Sequence, residues 1–234
     1  MRTLSTIVIV TAAAASSASA DVFETFDNRT DWLASALGPV TTEGFEGREF
    51  NGPLGAPSIF TTGLGVAVTG GATNWSAVEA GDPGGYGLQN TTDGGSQYVR
   101  FGIGGGLVGD YTIQFLLPQS TSAFGFDISD WEPGTIIDGP QGADVELLND
   151  GNLVFGFGLP STQDVSGTLA FIGFASDTFI YDEIRFTVKE GVGGLDIPFL
   201  DVTGIDEVAW VVPAPGAAGV LALAAGMASR RRRF

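Results

Sequence analysis

Short runs of β-branched and aromatic residues, separated by clusters of Gly, Pro, Asn and Asp, recur along the whole middle of the chain. This alternation of apolar runs with turn residues is typical of short antiparallel strands. About ten strands at this spacing predict an all-β fold, a single antiparallel β-sandwich of jelly-roll type over residues 21–211. The clearest runs are Leu64–Gly70, Gln97–Ile103, Asp110–Leu117, Ser122–Ser129, Ala143–Asn149, Leu153–Gly158, Leu169–Ala175, Asp182–Val188 and Gly204–Val211.

Two local signals are more specific than the general pattern. Asp150-Gly151 lies between two apolar runs, and Asp-Gly in that position predicts a tight β-hairpin. A short helix is predicted near Asn28–Leu37, because Asn28 or Thr30 can cap its first turn and Gly38-Pro39 ends it. No period of about 20–50 residues recurs, so the chain is not expected to be a repeat array.

The first twenty residues, Met1–Ala20, have the composition of a secretory signal peptide. Arg2 supplies the basic start, Leu4–Ala15 the apolar stretch, and Ala18-Ser19-Ala20 a cleavage site of small residues. Cleavage is therefore predicted before Asp21. The alternative is a buried N-terminal helix, but the segment is too rich in Ala and Ser to anchor a core.

The charge between the two ends is strongly acidic. All 27 acidic residues lie from Asp21 to Glu207, whereas half of the ten basic residues lie in the predicted signal peptide and the C-terminal tail. Such a surface repels nucleic acid and anionic lipid and attracts divalent cations, so no nucleic-acid partner is expected. The chain has no His and no Cys, which excludes a Ser-His-Asp triad, a thiol nucleophile, His- or Cys-ligated zinc and disulfides.

The C-terminal residues, 212–234, form a separate unit of three parts. Pro213-Ala214-Pro215 precedes the apolar segment Gly216–Ser229, which is shorter than the ~20 residues of a membrane-spanning helix. The four arginines that follow are typical of a positive-inside stop signal. This order predicts a temporary membrane tether, with a permanent anchor as the alternative. The arginines are Arg230, Arg231, Arg232 and Arg233.

These three parts resemble, in order, the C-terminal tail of bacterial PEP-CTERM sorting-domain proteins, whose Pro-Glu-Pro motif, hydrophobic helix and basic end are recognised by an exosortase. This chain has Ala214 where the name-giving motif has Glu. Stretches such as Phe124–Gly134 and Gly204–Trp210 are also similar to the β-rich bodies of such proteins. The resemblance implies a secreted or cell-envelope protein whose tail contacts the membrane transiently and is recognised by an exosortase-like enzyme. It implies a role in the envelope or extracellular matrix and no assigned reaction.

A structural calcium site is the one cofactor that the sequence suggests. The stretches Gly44–Glu46 and Gly204–Glu207 look like those that supply carboxylates, near the first and last strands, to calcium in jelly-roll carbohydrate-binding modules. That resemblance implies Glu46 and Asp206 as metal ligands, and oxygen ligands suit a hard cation. The alternative is that both carboxylates are solvated or cap turns.

Two further functions remain open at this point. Trp75, Tyr86 and Trp131 lie in Gly-rich, loop-like stretches and could form an aromatic platform for an extracellular polysaccharide, although aromatic residues there also pack over sandwich cores. A glycosidase would need two carboxylates about 5–10 Å apart, and nothing in the sequence singles out such a pair. The chain is therefore expected to be non-catalytic, with a carbohydrate-binding module as the alternative and a carboxylate glycosidase as a further one.

Overall fold

The computed structural model describes residues 23–36, 38–46, 57–70, 77–80, 97–103, 110–129, 140–160, 169–190 and 201–212. Within these residues the chain forms strands and one short helix. In chain order they are β1 (Phe23–Phe26), α1 (Arg29–Ser35), β2 (Val40–Glu43), β3 (Ser58–Ile59), β4 (Gly65–Gly70), β5 (Ala77–Ala80), β6 (Gln97–Ile103), β7 (Tyr111–Thr121), β8 (Ala123–Ser129), β9 (Pro140–Asn149), β10 (Asn152–Pro160), β11 (Leu169–Ser176), β12 (Tyr181–Glu190) and β13 (Asp201–Val211).

The strands form two antiparallel sheets that pack face to face. Sheet A has the order β1-β11-β8-β13-β6-β5, with β2 also paired to β13, and sheet B has the order β10-β9-β12-β7-β4-β3. Consecutive strands lie in different sheets at eight points: β2/β3, β4/β5, β6/β7, β7/β8, β8/β9, β10/β11, β11/β12 and β12/β13. The prediction of an antiparallel β-sandwich is confirmed, and each predicted apolar run lies within a strand except for at most one residue at its start.

The core between the sheets is dominated by aromatic side chains from alternate positions of the long strands. In β7, the alternate residues Tyr111, Ile113 and Phe115 are buried. Phe115 lies against Phe124 and Phe126 of the opposite sheet, with ring centroids 5.1 and 5.6 Å apart. Burial of each such side chain contributes about 1.5–3 kcal/mol, so a core of this kind can stabilise a chain without disulfides.

The predicted hairpin joins β9 to β10. Asp150 has φ of 50° and Gly151 has φ of 74°, the pair of left-handed residues that a type I′ turn requires. Leu153 lies opposite Leu148, and Phe155 opposite Leu147, so Val154 is the extra residue of a β-bulge. Beyond the bulge the pairing of β10 is regular.

The helix α1 packs on the outer face of sheet A. The Asn28 side chain accepts hydrogen bonds from the N–H groups of Thr30 and Asp31, at 2.8 and 3.2 Å, which confirms Asn28 as the cap. Trp32 is fully buried and its indole N–H donates to the Phe174 carbonyl. A Cβ on Gly173 would lie 2.9 Å from the Trp32 ring, so a glycine is needed where the helix meets the sheet.

The strands that the sequence did not predict are short. β1, β2 and β5 have four residues each and β3 has two, too few for a recognisable alternation. No helix in the described part of the chain is long and apolar enough to cross a membrane. The predicted signal peptide, and the tail beyond Val212, lie outside the described residues.

Candidate functional site

The last strand, β13, contains an irregularity that gathers charged side chains. Its register with β8 shifts between Asp206 and Ala209, and Glu207 adopts a left-handed conformation with φ of 48°. On the other side of β13, β6 pairs with Asp201–Ile205 and β2 with Val208–Val211. Glu207 therefore lies where the neighbour of β13 changes from one strand to another. A backbone ladder that is interrupted in this way leaves N–H groups that side chains must satisfy.

Glu46 links β2 and β6, the two strands that pair with the same side of β13. It follows β2, and its Oε1 accepts a hydrogen bond of 2.7 Å from the N–H of Gln97, the first residue of β6. A Cβ on Gly44 would lie 3.8 Å from Glu207 Oε1 and 4.0 Å from Glu46 Cγ, so both glutamates lie beside Gly44. The structure thus places Gly44, directly after β2, beside Glu207 of β13.

Glu43, at the end of β2, fixes the backbone leading to Glu46. It is 4% exposed, and its Oε1 accepts from the Phe45 N–H at 3.0 Å. Its Oε2 accepts from both the N–H and the hydroxyl of Thr62, at 3.2 and 2.6 Å. These bonds hold Phe45 in its left-handed conformation, with φ of 59°, while its ring packs on Phe60. Glu43 was not predicted as a site residue, and its only signal in the sequence is its place before Gly44-Phe45-Glu46.

Arg29, the first residue of α1, connects the helix to the irregular part of β13 at Glu207 by hydrogen bonding. Its Nη2 donates to Asp127 Oδ2 at 2.9 Å and to the carbonyl oxygen of Glu207 at 2.7 Å. The guanidinium carbon also lies 4.9 Å from the centre of the Phe171 ring, within the range of a cation–π contact. One cation therefore satisfies the distorted backbone of β13 and a carboxylate on β8 at the same time.

Two buried carboxylates occupy opposed positions in the charged cluster formed by Arg29, Glu46, Asp127, Asp206 and Glu207. Asp127 and Asp206 are directly opposite in the β8–β13 register and are 6% and 3% exposed. Burial raises the pKa of Asp127 above its ordinary value, and the charge of Glu207 raises it further, while the charge and hydrogen bond of Arg29 lower it. Asp206 Oδ1 accepts from the N–H of Glu207 at 2.7 Å.

The contacts of Glu46 and Asp206 in this cluster are those of side chains that stabilise the backbone. Glu46 and Asp206 each accept a backbone N–H group, as turn-capping carboxylates do. Within the described ranges, no group of three or more acidic side chains is arranged to hold a metal ion. Calcium binding at Glu46 and Asp206 stays a prediction.

A cleft of about 200 Å³ lies beside the end of α1. Its polar lining includes Glu24, Asp177 and the hydroxyls of Ser35 and Ser176. Ser35 donates to the Trp32 carbonyl at 2.8 Å, and Ser176 accepts from the N–H groups of Thr178 and Phe179. Since both hydroxyls serve the local backbone, this cleft is a weaker candidate than the bulge.

The other predicted site residues lie outside the described part of the chain. They are the aromatic residues Trp75, Tyr86 and Trp131 and the tail residues Pro213, Ala214, Pro215, Arg230, Arg231, Arg232 and Arg233. The aromatic platform and the sorting motif therefore stay predictions.

Comparison with known proteins defines no family for this sandwich. No family model matches the chain, and no curated protein matches it. Among solved structures it is similar to the K2 cleaved adhesin domain of Lys-gingipain, with 13% identity and a TM-score of 0.45 over 74% of this chain and 98% of that one. A carbohydrate-binding module of the β-sandwich superfamily follows, with 11% identity and a TM-score of 0.38 over 71% of this chain and 63% of that one.

An enzyme also appears among these structures. The catalytic domain of a GH87 α-1,3-glucanase in complex with nigerose has 13% identity and a TM-score of 0.34, over 77% of this chain and 29% of the glucanase chain. All three TM-scores are below 0.5 and all three identities below 25%. These likenesses therefore assign no activity, ligand or partner to this protein.

Proposed function

We propose that this protein is a non-catalytic exported component of the cell envelope or extracellular matrix, delivered by an exosortase-type enzyme that recognises its C-terminal tail. The observation that carries the proposal is where the sandwich ends. β13 ends at Val211, and the Val212 N–H donates to the Pro39 carbonyl at 2.8 Å. The motif Pro213-Ala214-Pro215 begins at the next residue.

β13 is held in the sandwich by its pairing with other strands. β13 pairs with β8 on one side and with β6 and β2 on the other, so it is an interior strand. Val211 is 1% exposed and its carbonyl accepts from the buried Thr121 hydroxyl at 2.7 Å. Cleavage after Pro213 removes none of these contacts, so a sorting enzyme can release a folded body.

The test is to map the C-terminal peptide of the native protein by mass spectrometry in membrane and extracellular fractions. We expect the extracellular protein to end near Pro213–Pro215. Replacing Arg230–Arg233 with alanine should disrupt the tether and the processing, whereas Ala214→Glu, which restores the name-giving motif, should leave both intact. An intact Arg230–Phe234 end found only in the membrane fraction would show a permanent anchor and refute sorting.

Carbohydrate binding is the second candidate, and it depends on Trp75, Tyr86 and Trp131. Stacking of a sugar on an aromatic face requires these side chains to share one surface. Pull-down on an insoluble polysaccharide panel, with Trp75→Ala and Trp131→Ala compared with the wild type, tests it. Retention that both substitutions reduce supports a binding module. Turnover of a polysaccharide that one Asp or Glu substitution abolishes would instead support the glycosidase alternative.

Structural calcium at Glu46 and Asp206 has its own test. A cation that binds the folded state stabilises it by mass action, by about 2.7 kcal/mol at a hundredfold excess over Kd. The melting temperature should then rise with Ca²⁺, and both EDTA and Asp206→Asn should remove the increase. If Ca²⁺ leaves the melting temperature of the wild type unchanged, both carboxylates act as backbone caps alone.

A further inference from the structure

One edge strand of the sandwich differs from the others. Among the described residues, the strands that pair on one side only are β1, β2, β3, β5 and β10. The first four have two to four residues, and β10 has nine. Short edges offer little template for pairing with another chain, whereas a long regular edge offers a complete one.

β10 also lacks the charges that usually protect such an edge. Its sequence, Asn152–Pro160, contains no Asp, Glu, Lys or Arg, in a chain with a net charge of −17. Leu153 and Val154 are 60% and 38% exposed. The Val154 bulge and Pro160 lie near its two ends, so Phe155–Leu159 remains an uninterrupted apolar segment.

The inner face of β10 is already held in place by aromatic packing. Phe155 and Phe157 lie with ring centroids 4.4 and 4.9 Å from that of Phe23 on β1, and Phe155 also stacks on Phe179 at 5.3 Å. These rings close the end of the sandwich between β1 and β10. Because the strand is ordered before any partner arrives, pairing would cost little additional backbone entropy.

We propose that β10 binds β10 of a second copy of this chain, antiparallel and about a twofold axis at Gly156, so that the two B sheets become continuous. A twofold contact uses the same surface on both copies, and the midpoint of Asn152–Pro160 is the register with the greatest overlap. An uncharged edge is the surface on which two acidic molecules approach with the least repulsion.

The two β10 strands would keep the acidic residues of the two β9 strands apart. Gly156 and Gly158 lie opposite Glu146 and Asp144 of β9. In the proposed dimer, two copies of β10 separate the two β9 strands, which places these acidic rows about 14 Å apart at a strand spacing of about 4.8 Å. This exceeds the Debye length of about 8 Å at physiological salt. Because the Debye length grows to about 30 Å at 0.01 M ionic strength, the rows repel each other there, and dimerisation should weaken as salt is removed.

Cysteine cross-linking tests both the partner and the register, since the chain contains no other cysteine. Opposed Cα atoms in antiparallel strands are about 4.5–5.5 Å apart, within disulfide range. Gly156→Cys in the full chain should therefore form a disulfide-linked dimer under mild oxidation. A Cβ there meets its nearest atom at 3.6 Å, so the fold tolerates it. Gly158→Cys is the matched control, because two copies of residue 158 would lie about 13 Å apart.

A charge on the edge provides the second variant. Val154→Lys should abolish dimerisation measured by light scattering of the detergent-solubilised full chain, and Leu33→Lys on α1 should not. Since both substitutions make the net charge less negative, added repulsion cannot explain a loss. A monomeric mass with no disulfide at position 156, or equal disulfide yields at 156 and 158, would overturn the proposal. So would a monomer in which the β10 amides that point away from β9 resist hydrogen exchange, because another segment would then cover this edge.

Discussion

Arg29 and Glu207 are joined by a hydrogen bond of 2.7 Å, from Nη2 of the arginine to the carbonyl oxygen of the glutamate. This bond connects the start of α1 to the bulge of β13 across 178 residues of sequence. The same nitrogen donates to Asp127. A single guanidinium thus stabilises an irregular backbone and a buried carboxylate, which makes it the centre of the charged cluster.

Replacing Arg29 should lower the free energy of unfolding, because Asp127 would then be buried without a cationic partner. Arg29→Met removes the cation that lowers the pKa of Asp127, so that pKa should rise further. We expect the free energy of unfolding at pH 7 to fall by about 2 kcal/mol, below the value for a fully buried pair because Arg29 is partly exposed. Urea denaturation of wild type and variant measures the difference.

The pH dependence should have a definite sign. Since the folded-state pKa of Asp127 is raised, its protonated form is favoured by folding, and stability is lost as pH rises from about 4 through the raised pKa. Arg29→Met should make this loss larger and extend it to higher pH, and the double variant with Asp127→Asn should remove it. If Arg29→Met lowered the free energy of unfolding by the same amount at every pH between 3 and 8, this account would be contradicted.

Glu43→Gln should destabilise the protein although the side chain keeps its size. The carboxylate accepts from Phe45 N–H and from two groups of Thr62, and an amide can replace only one of its two oxygens as an acceptor. A buried donor left without a partner costs about 1–3 kcal/mol. Chemical denaturation checks this, with Glu24→Gln as the control because Glu24 is exposed. Equal stabilities of the two variants would be inconsistent with the network.

Tyr181→Phe should stabilise the protein. Tyr181 is fully buried, and its hydroxyl has no hydrogen-bond partner among the described residues. Removing it should add about 1 kcal/mol to the free energy of unfolding. Burial raises the pKa of Tyr181 well above 10, so wild-type stability should also fall as pH rises past 10, less so in the variant.

The matched control for Tyr181 is Thr121→Val. The Thr121 hydroxyl is equally buried, but it donates toward the carbonyls of Ala123 and Val211 and accepts from the Ala123 N–H. Deleting it should lower the stability by about 1–2 kcal/mol. The two hydroxyl deletions should therefore shift the melting temperature in opposite directions, and shifts of the same sign would be evidence against the assigned contacts.

Truncation separates the sandwich from the tail. A chain that ends after Val212 should keep the melting temperature of the full chain, because it retains the backbone hydrogen bond from Val212 to Pro39, the last one along the described part of the chain. A chain that ends after Glu207 loses Val208–Val211, including the buried Trp210, and should not fold. Circular dichroism during heating distinguishes them. A large loss of stability in the first truncation would show that the tail belongs to the fold.

Much of the architecture followed from local patterns. The apolar runs predicted the long strands, Asp150-Gly151 predicted the hairpin, and Asn28 predicted the helix cap, because each depends on backbone preferences that are visible within a few residues. The four short strands were missed, since two to four residues carry no period. Composition alone excluded His and Cys chemistry.

The charged cluster depended instead on contacts distant in the chain. Nothing near Glu43 shows that it will accept from Thr62, and nothing near Arg29 shows that it will meet Asp127 and Glu207. Likewise, Gly173 is a glycine because the Phe171 and Trp32 rings would lie within 3 Å of its Cβ. Strand order places β10 at an edge and β13 in the interior. Local preference sets which segments become strands, but which side chains meet depends on how the sheets are assembled, and that is a property of the whole chain.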